Sequence, residues 1–478
     1  MKLQLYNDLS GNLEPFEPLE PGHVKFYTCG PTVYDYFHIG NARPFIVFDV
    51  LRRYLESKGL EVSFIQNFTD IDDKMIQRAE QMGITVRELA EKFISAYYED
   101  ADSLGIKRAT YNPRATDEIA SIIGLIQTLV DKGHAYPADG DVYFEVDTFP
   151  QYGKLSKQSL DDLRSGARVE VDERKRAPLD FALWKAQKPG EPAWESPWGM
   201  GRPGWHIECS AMAHHHLGDT IDIHGGGSDL MFPHHENEIA QSEAANGKLF
   251  ARFWIHNEYL MIDREKMSKS IGNFFTVREV RAKYAAPVIR LFMLSAHYRS
   301  PINFSPETLD QAAHAHDRLR NGWAEIEFAM KTRPCDAVPC EPDAELREEL
   351  RDALGLFDKC MQEDFNTAGA IGAVFDVIRA TNVSLGHPGG IDYEIVKEAA
   401  DFLRMVDEVM GIIQIGAGDR GDAETEEIES LIAEREDARR GKNFARSDEI
   451  RNILNERGII LEDTPQGTRW KRAQDGGK

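Results

Sequence analysis

Val24-Lys25-Phe26-Tyr27-Thr28-Cys29-Gly30-Pro31 is a run of β-branched and aromatic residues stopped by Gly-Pro. Such a run reads as a strand ending in a sharp turn. A loop follows, and from Asn41 the apolar residues Ile46, Val47, Val50, Leu51 and Leu55 recur at helical spacing. Lys58-Gly59 closes that helix, and Glu61-Val62-Ser63-Phe64-Ile65 is the next strand. Strand, loop, helix and strand within about 40 residues make a βαβ unit, which brings a parallel sheet and an α/β fold with it.

Outward from that unit the pattern changes several times. Residues 73 to 133 are predicted mostly helical from spacings such as Ile119, Ile122, Ile123, Ile126 and Val130. Residues 134–200 instead hold short strands such as Asp141-Val142-Tyr143-Phe144-Glu145-Val146, a charged run from Glu170 to Arg176, and many prolines and tryptophans. They read as an insertion between two halves of the α/β domain. The α/β pattern resumes with a helix near Trp205 to Leu217, a strand at Thr220 to His224, a helix from Pro233 to Asn246 and a strand at Phe253 to Ile262. From about Pro306 the chain is almost wholly helical. A linker rich in Gly, Asp and Ala at Ile415 to Glu424 precedes a last compact piece, Ile428 to Arg472.

The 478 residues carry 80 Asp+Glu against 56 Lys+Arg, a formal charge of -24, which excludes a uniformly basic nucleic-acid binder but not a local basic face. No stretch approaches the roughly 18–20 uninterrupted apolar residues of a membrane span. Met1-Lys2-Leu3-Gln4 leads into no signal-peptide core. The expectation is a soluble, cytoplasmic protein with no membrane partner. Five cysteines, Cys29, Cys209, Cys335, Cys340 and Cys360, are neither dense nor even in number, which leaves free thiols or metal ligands in place of a disulfide framework.

Two loops carry phosphate chemistry. His38-Ile39-Gly40-Asn41 sits between the first strand and its helix. Backbone N–H groups at a helix N-terminus attract phosphate, Gly40 allows close approach, and His38 and Asn41 offer donors; a capped helix with an exposed His is the alternative. Lys266-Met267-Ser268-Lys269-Ser270 follows the last strand of the α/β half. Two lysines three apart on a Ser/Gly loop can close over a triphosphate and neutralise charge at the reacting phosphorus, although such a loop in isolation is ordinarily solvated surface. Together the loops resemble the paired signatures of the class I aminoacyl-tRNA synthetases. Four longer stretches, Tyr27 to Asp35, Gly204 to Ser210, His224 to Leu230 and Phe232 to Glu238, narrow the resemblance to the cysteinyl-tRNA synthetase family. The match runs from about Lys25 to Arg472 and is strongest in the α/β half.

The resemblance implies a Rossmann-like parallel-sheet catalytic domain whose halves, 1–133 and 201–262, flank a connective domain at 134–200. It further implies a KMSKS loop and stem-contact region at 263–305, a helical anticodon-binding bundle at 306–415 and a small C-terminal anticodon-recognition domain at 426–478. The activity implied is ATP-dependent activation of L-cysteine and its transfer to the 3′-terminal adenosine of tRNA(Cys). Nothing demands more than a monomer or an obligate protein partner. On matched positions, His38, Asn41, Lys266 and Lys269 are catalytic, and His38, Gly40, Asn41, Gly226, Asp229 and Lys269 bind ATP with its Mg²⁺. His224 to Asp229 follows a predicted strand, at the carboxyl end where α/β sheets place ligands, so its glycines suit adenosine and Asp229 can accept from ribose hydroxyls.

A third constellation follows from metal chemistry. Cys29 ends the first strand, Cys209 lies in the Trp205 helix, and His234 and Glu238 are four apart behind Pro233. If Pro233 opens a helix, those two share a face and can reach one ion. Two thiolates, an imidazole and a carboxylate suit Zn²⁺, while the two cysteines alone read first as small buried hydrophobes. The resemblance places one zinc per chain on these four positions. Helical rotation turns His235 and Glu236 away, so they are expected in outer or surface positions. A zinc–thiolate bond separates cysteine from serine where pocket shape gives only about 10²-fold, so no editing domain is expected. Catalytic zinc commonly keeps three protein ligands, so with four either coordination expands or Glu238 loosens.

Thr69 and Trp205 are assigned to the cysteine pocket, an ordinary core tryptophan being the alternative for Trp205. Asn67 to Lys74 also matches the family, and its carboxylates read either as Mg²⁺ or amine ligands or as helix caps at Asp70 or Asp72. A lysine pair tied in some relatives to a pyridoxal-phosphate-dependent persulfide activity is incomplete here, with Lys74 present but Gln77 in the second place. His214-His215-His216 reads as surface, because three consecutive residues cannot share one helix face. Cys335, Cys340 and Cys360 lie outside the matched motifs. At the far end, Arg439, Arg440, Lys442, Arg446, Arg451, Arg457 and Arg469-Trp470-Lys471-Arg472 concentrate positive charge and one aromatic. A solvated face is the default, and the resemblance assigns this end to anticodon recognition. The rival is a ligase of the same fold that delivers cysteine to an amino-sugar acceptor; such relatives lack the full tRNA-binding end, which Ile428 to Arg472 retains.

Overall fold

The computed structural model describes residues 3–159, 174–262, 265–266, 275–332, 341–385, 393–415, 423–464 and 467–472. β1 (His23–Thr28), α1 (Ile39–Ser57) and β2 (Glu61–Gln66) form the βαβ unit, and α2 (Ile119–Asp131) lies beyond it in the chain. After the insertion come α3 (Trp205–Leu217), β3 (Ile221–Gly227), α4 (Glu236–Asn246) and β4 (Ala251–Asn257). The four strands make one sheet in the order β4-β3-β1-β2, every pair parallel. Phe26, Tyr27 and Thr28 stand opposite Ile223, His224 and Gly225 on one side, and opposite Phe64, Ile65 and Gln66 on the other. The winding therefore reverses between β1 and β3. In open α/β sheets ligands bind outside the carboxyl ends at that point, here Cys29 and Gly225 to Gly227. Val24, Phe26, Ile221, Ile223, Phe253 and Ile255, two apart on each strand, are all buried on one face of the sheet.

The insertion is a separate four-stranded antiparallel sheet of Ala135–Ala138, Asp141–Phe144, Phe181–Ala186 and Gly201–Pro203. Its Val142, Phe144, Leu183 and Trp184 share one core with Ile122 and Ile126 of α2 and Ile207 and Met212 of α3. That shared core fixes α3, which occupies its expected range.

Three elements depart from expectation. The strand read at Phe253 to Ile262 is broken at Glu258-Tyr259, and Leu260–Ile262 joins a different sheet with Glu265–Lys266 and Ile302–Phe304. At the break Arg43 Nη1 donates to the carbonyls of Glu258 and Tyr259 at 2.8 and 3.1 Å, while the Glu258 N–H and the Tyr259 carbonyl turn to Tyr298 and Ile302 on the side of the second sheet. The helix read from Pro233 starts at Glu236, because Met231–His235 winds as a π-type turn with Phe232 extended. The C-terminal region is not all helix: Ile459–Thr464 and Gly467–Arg472 pair as an antiparallel hairpin, Leu461 opposite Trp470. Gly458, at φ +73°, stops the preceding helix and the β-branched pair Ile459-Ile460 starts the strand.

The chain forms two compact units, Met1–Ala313 with Asp358–Ala370, and His314–Phe357 with Ile371–Lys478. The first holds the parallel sheet, the insertion sheet and the sheet of Leu260–Ile262; helices dominate the second, which also holds the C-terminal hairpin. Thr367–Leu385 has the length and mean hydropathy (1.2) of a membrane span, and its Ala373, Val374, Val377 and Ile378 are buried. Ile378 packs on Gly322, where a Cβ would come within 2.1 Å of it.

Candidate active site and metal centre

Cys29 is the first residue past β1, and Cys209 lies one turn into α3. Sheet end and helix bring Cys29 Sγ to 3.7 Å from Cys209 Sγ and 3.4 Å from Glu238 Oε1. His234 Nε2 lies 3.0 Å from the same oxygen. The four residues expected to share an ion are thus gathered, buried, with their ligand atoms within 4.8 Å of one another. A second buried group shares Cys29 and Glu238 but is completed by His224 and His235. His235 Nε2 lies 3.3 Å from Cys29 Sγ, and His224 Nε2 lies 2.9 Å from Glu238 Oε2.

For His235 and Glu236, expected in outer or surface positions, burial removes the second option. Glu236 accepts from the backbone N–H groups of Leu155 and Ser156 at 3.1 and 2.8 Å, tying α4 to the insertion. The rotation of an α-helix applies only from Glu236 onward; the π-type turn before it lets consecutive histidines reach one cluster. His224 also escaped sequence reasoning. Its signal is its place, the last side chain of β3 before three glycines at the ligand-binding end of the sheet.

The charges of the cluster are arranged for a cation. The Cys29 thiol donating to Cys209, with His234 beside it, brings the Cys209 thiol down to about 7 against its burial. Burial, Cys209 and the Glu238 carboxylate push Cys29 well above the usual thiol range. Burial opposes a charge on His234, but Glu238 and Cys209 outweigh it and raise the imidazole to about 10. Burial of Glu238 is likewise outweighed, by His224 and His234, and its carboxyl is held well below the usual range. A divalent ion would take the place of the protons these groups share, and two sulfurs, one nitrogen and one oxygen fit a borderline-soft metal.

An outer layer fixes the donors. His206 Nδ1 lies 2.9 Å from His234 Nδ1, so the other ring nitrogen of His234 faces the cluster. His256 bridges His235 Nδ1 and Asp8 Oδ2 at 2.8 and 2.7 Å. Asn67 Oδ1 accepts from the Gly30 N–H at 2.8 Å and from Cys209 Sγ at 3.7 Å. Gly30 is required there: a Cβ would sit 1.7 Å from the Asn67 carbonyl oxygen. Thr69 Oγ1 donates to the buried Glu208 carboxylate at 2.9 Å. Trp205, 42% exposed, stacks on His234 with ring centroids 4.4 Å apart.

On the phosphate side, His38 caps α1, its Nδ1 accepting from the Asn41 N–H at 3.2 Å. Gly40 and Asn41 are in the first turn. Gly226 is the next-to-last residue of β3 and Asp229 lies in the turn after it. Lys266 closes the short strand Glu265–Lys266, and Lys269 lies outside the described residues. The chain returning from that loop is joined to α1, with the Ile39 N–H donating to the Phe275 carbonyl at 2.9 Å and the Val277 N–H to the Phe37 carbonyl at 3.2 Å.

Arg43, fully buried, completes this frame by also donating from Nη2 to the His297 and Ser300 carbonyls at 3.1 and 2.7 Å. One guanidinium thus satisfies four carbonyls around the start of α1. Arg43→Met should cost about 3 kcal/mol or more, read as a lowered urea midpoint, because the carbonyls lose charge-assisted partners. Arg43→Lys should recover only a fraction, since a single ammonium cannot fork to four acceptors. Full recovery by lysine would contradict this role.

Several assigned groups have structural partners. Asp72 caps the helix Asp73–Met82 through the Met75 N–H at 2.7 Å, as one of the two readings had it, whereas Asp70 caps no helix and accepts from the distant Thr116 N–H and Oγ1 at 3.0 and 2.6 Å. Of the triple histidine, His214 and His215 are exposed as expected and His216 is partly buried, and the last two both reach Glu118. Of the C-terminal basic residues, Arg439, Arg440, Arg446 and Arg457 pair with Asp463, Asp437, Glu434 and Glu427, which neutralises much of that face. Arg469 to Arg472 lie in the second strand of the hairpin, and Cys335 and Cys340 fall outside the described residues.

A ligand end at the β1/β3 switch point, a histidine-capped helix beside it and an appended helical unit define a class I aminoacyl-tRNA synthetase. Residues 15–314 match the family of tRNA synthetases class I (C) catalytic domains, 356–414 the DALR domain and 422–470 the cysteinyl-tRNA ligase anticodon binding domain. The chain is 56% identical over 477 residues to the cysteine–tRNA ligase of Symbiobacterium thermophilum, across 99% of this chain and 100% of that one. It belongs to the cysteinyl-tRNA synthetase family. The fold is shared more widely. The Mycobacterium tuberculosis methionyl-tRNA synthetase in complex with methionyl-adenylate superposes with a TM-score of 0.65 at 16% identity, over 81% of this chain and 92% of that one. The Agrobacterium radiobacter K84 agnB2 LeuRS in a ternary complex with tRNA and LeuAMS gives 0.63 at 11% identity, over 83% and 85%. With the anticodon domain matched at 422–470, the amino-sugar alternative has no support.

Proposed function

We propose that the family's reaction, activation of L-cysteine by ATP and transfer to the 3′-terminal adenosine of tRNA(Cys), uses one Zn²⁺ per chain held by Cys29, Cys209, His234 and Glu238. The observation that carries this reading is the burial of two thiols, an imidazole and a carboxylate within 4.8 Å of one another, under the half-exposed Trp205. This group, unlike the one completed by His224 and His235, holds both sulfurs; those two histidines then orient Glu238 and Cys29 from outside. When bound, the metal supplies a soft position for the substrate thiolate that a serine hydroxyl matches poorly.

Thr69 and Trp205 wall the cysteine pocket. His38 and Asn41 bind phosphates at the start of α1, Gly40 lets them approach, and Gly226 and Asp229 take the adenosine. The cysteine carboxylate attacks the α-phosphorus in line while Lys266 and Lys269 neutralise the growing charge and pyrophosphate leaves with Mg²⁺. Positioning and charge stabilisation suffice, so no protein nucleophile is used. The terminal ribose hydroxyl then takes the cysteinyl group. The catalytic halves are 1–133 and 201–262, with 134–200 inserted; 263–305 contacts the acceptor stem, and 306–415 and 426–478 recognise the anticodon end, where Arg469, Trp470, Lys471 and Arg472 touch tRNA. The setting is the cytoplasm.

The test is charging of total tRNA by the purified protein, with serine and an amino-sugar acceptor in parallel and metal quantified. Charging by cysteine alone, with about one zinc per chain, is the expected result. Adenylate formation without tRNA charging would contradict it.

A further inference from the structure

Glu118, His215 and His216 stand apart from the cysteine cluster and serve no step above. Glu118 is the residue before α2, and the histidines occupy the last turn of α3. His215 Nδ1 lies 2.7 Å from Glu118 Oε2, and His216 Nε2 lies 2.8 Å from Oε1. Neighbouring helical residues diverge by about 100°. They converge here because one ring offers Nδ1 and the other Nε2, with the carboxylate between them. The three ligand atoms fall within 4.8 Å of one another. Ser121 Oγ donates to Glu118 Oε2 at 2.9 Å, and the Tyr111 ring lies 4.7 Å from the His216 ring, so two of the three arms are held. The Glu118 side chain is 7% exposed and that of His215 54%, which gives an ion a way in from solvent.

We propose that Glu118, His215 and His216 form a second metal site, taking a divalent transition-metal ion of the zinc, cobalt or nickel kind. Two imidazoles and one carboxylate, without sulfur, select such ions and leave a further position for water. Metal–ligand bonds of about 2.0–2.2 Å set tetrahedral ligand atoms roughly 3.3 Å apart, so with Glu118 Oε2 as ligand the His215 pair, at 2.7 Å, opens by about half an ångström and His216 turns from Oε1 to the ion. The exposed carbonyls at the C-terminus of α3 favour a cation there. Occupancy pins the last turn of α3 to the start of α2, at the opposite end of the helix from Cys209.

The full-length protein, loaded with zinc and freed of excess metal, is titrated with Co²⁺ and followed by calorimetry and visible absorption. The expected result is one further equivalent whose spectrum lacks thiolate-to-cobalt charge transfer. His215→Asn and Glu118→Gln should weaken that equivalent by about tenfold or more while the zinc content stays constant. His215 is half-exposed, so its variant should melt at the wild-type temperature without cobalt; if Glu118→Gln fails to fold, the His215→Asn arm decides alone. Three results would overturn the site: no further equivalent up to millimolar cobalt, as for a plain His–Glu ion pair; undiminished binding in His215→Asn; or thiolate bands, which would put the ion on the cysteines.

Discussion

Cys209→Ser is expected to strip zinc from the protein and to pull its preference for cysteine over serine down toward the roughly 10²-fold that shape alone provides. The thiol is buried between Cys29 Sγ and Asn67 Oδ1, each at 3.7 Å, so it has no route to be replaced by solvent without disturbing both. Serine keeps the volume but offers a hydroxyl of far higher pKa in place of a thiol already near 7, a poorer ligand for a borderline-soft ion. Cysteine activation should fall with the metal content, measured as cysteine-dependent ATP–pyrophosphate exchange beside metal analysis. Cys360→Ser, at a buried thiol in the helix Glu341–Gln362, should change neither. Full activity and full selectivity in zinc-free Cys209→Ser would end the argument for recognition through sulfur.

The second large effect is expected at Lys269. Lys269→Ala should lower the rate of adenylate formation by about 10²–10³-fold, the usual consequence of removing one preorganised charge from a transition state, with cysteine affinity unchanged. The described chain on either side of the loop gives the reason. Before it, Lys266 pairs with Met261; after it, Thr276 bridges His38 and Phe275 accepts from Ile39. The second flank is therefore tied to the start of α1, the proposed phosphate end, while the cysteine cluster is built from other segments. Single-turnover adenylate formation and equilibrium binding of cysteine separate the two functions. A collapse of cysteine affinity with an intact rate would show that the loop serves the wrong substrate.

Much of this was legible in the sequence for a physical reason. β1 and β2 announce themselves by β-branched and aromatic residues buried at alternate positions, and the loops at their carboxyl ends carry the unusual residues. Cys29, Cys209, His234 and Glu238 can be chosen together, across 209 positions, because the family resemblance places a metal on them and their ligand chemistry agrees with it. What was not legible depends on partners far away in sequence. Helical rotation excluded His235, yet a π-type turn brings it to Cys29. At the break, Glu258 and Tyr259 meet Arg43, Tyr298 and Ile302, all distant in sequence. His215 and His216 converge only because a distant carboxylate lies between them. The C-terminal arginines look like a solvated basic face until Asp463, Glu434 and Glu427 are placed beside them.

The most direct measurement is X-ray absorption at the zinc edge of the purified protein, alone, with L-cysteine and with L-serine. Two sulfur neighbours at about 2.3 Å in the protein alone, three with cysteine and two with serine, is the expected result. A sulfur count that stays at two under saturating cysteine would contradict selection by a metal–thiolate bond.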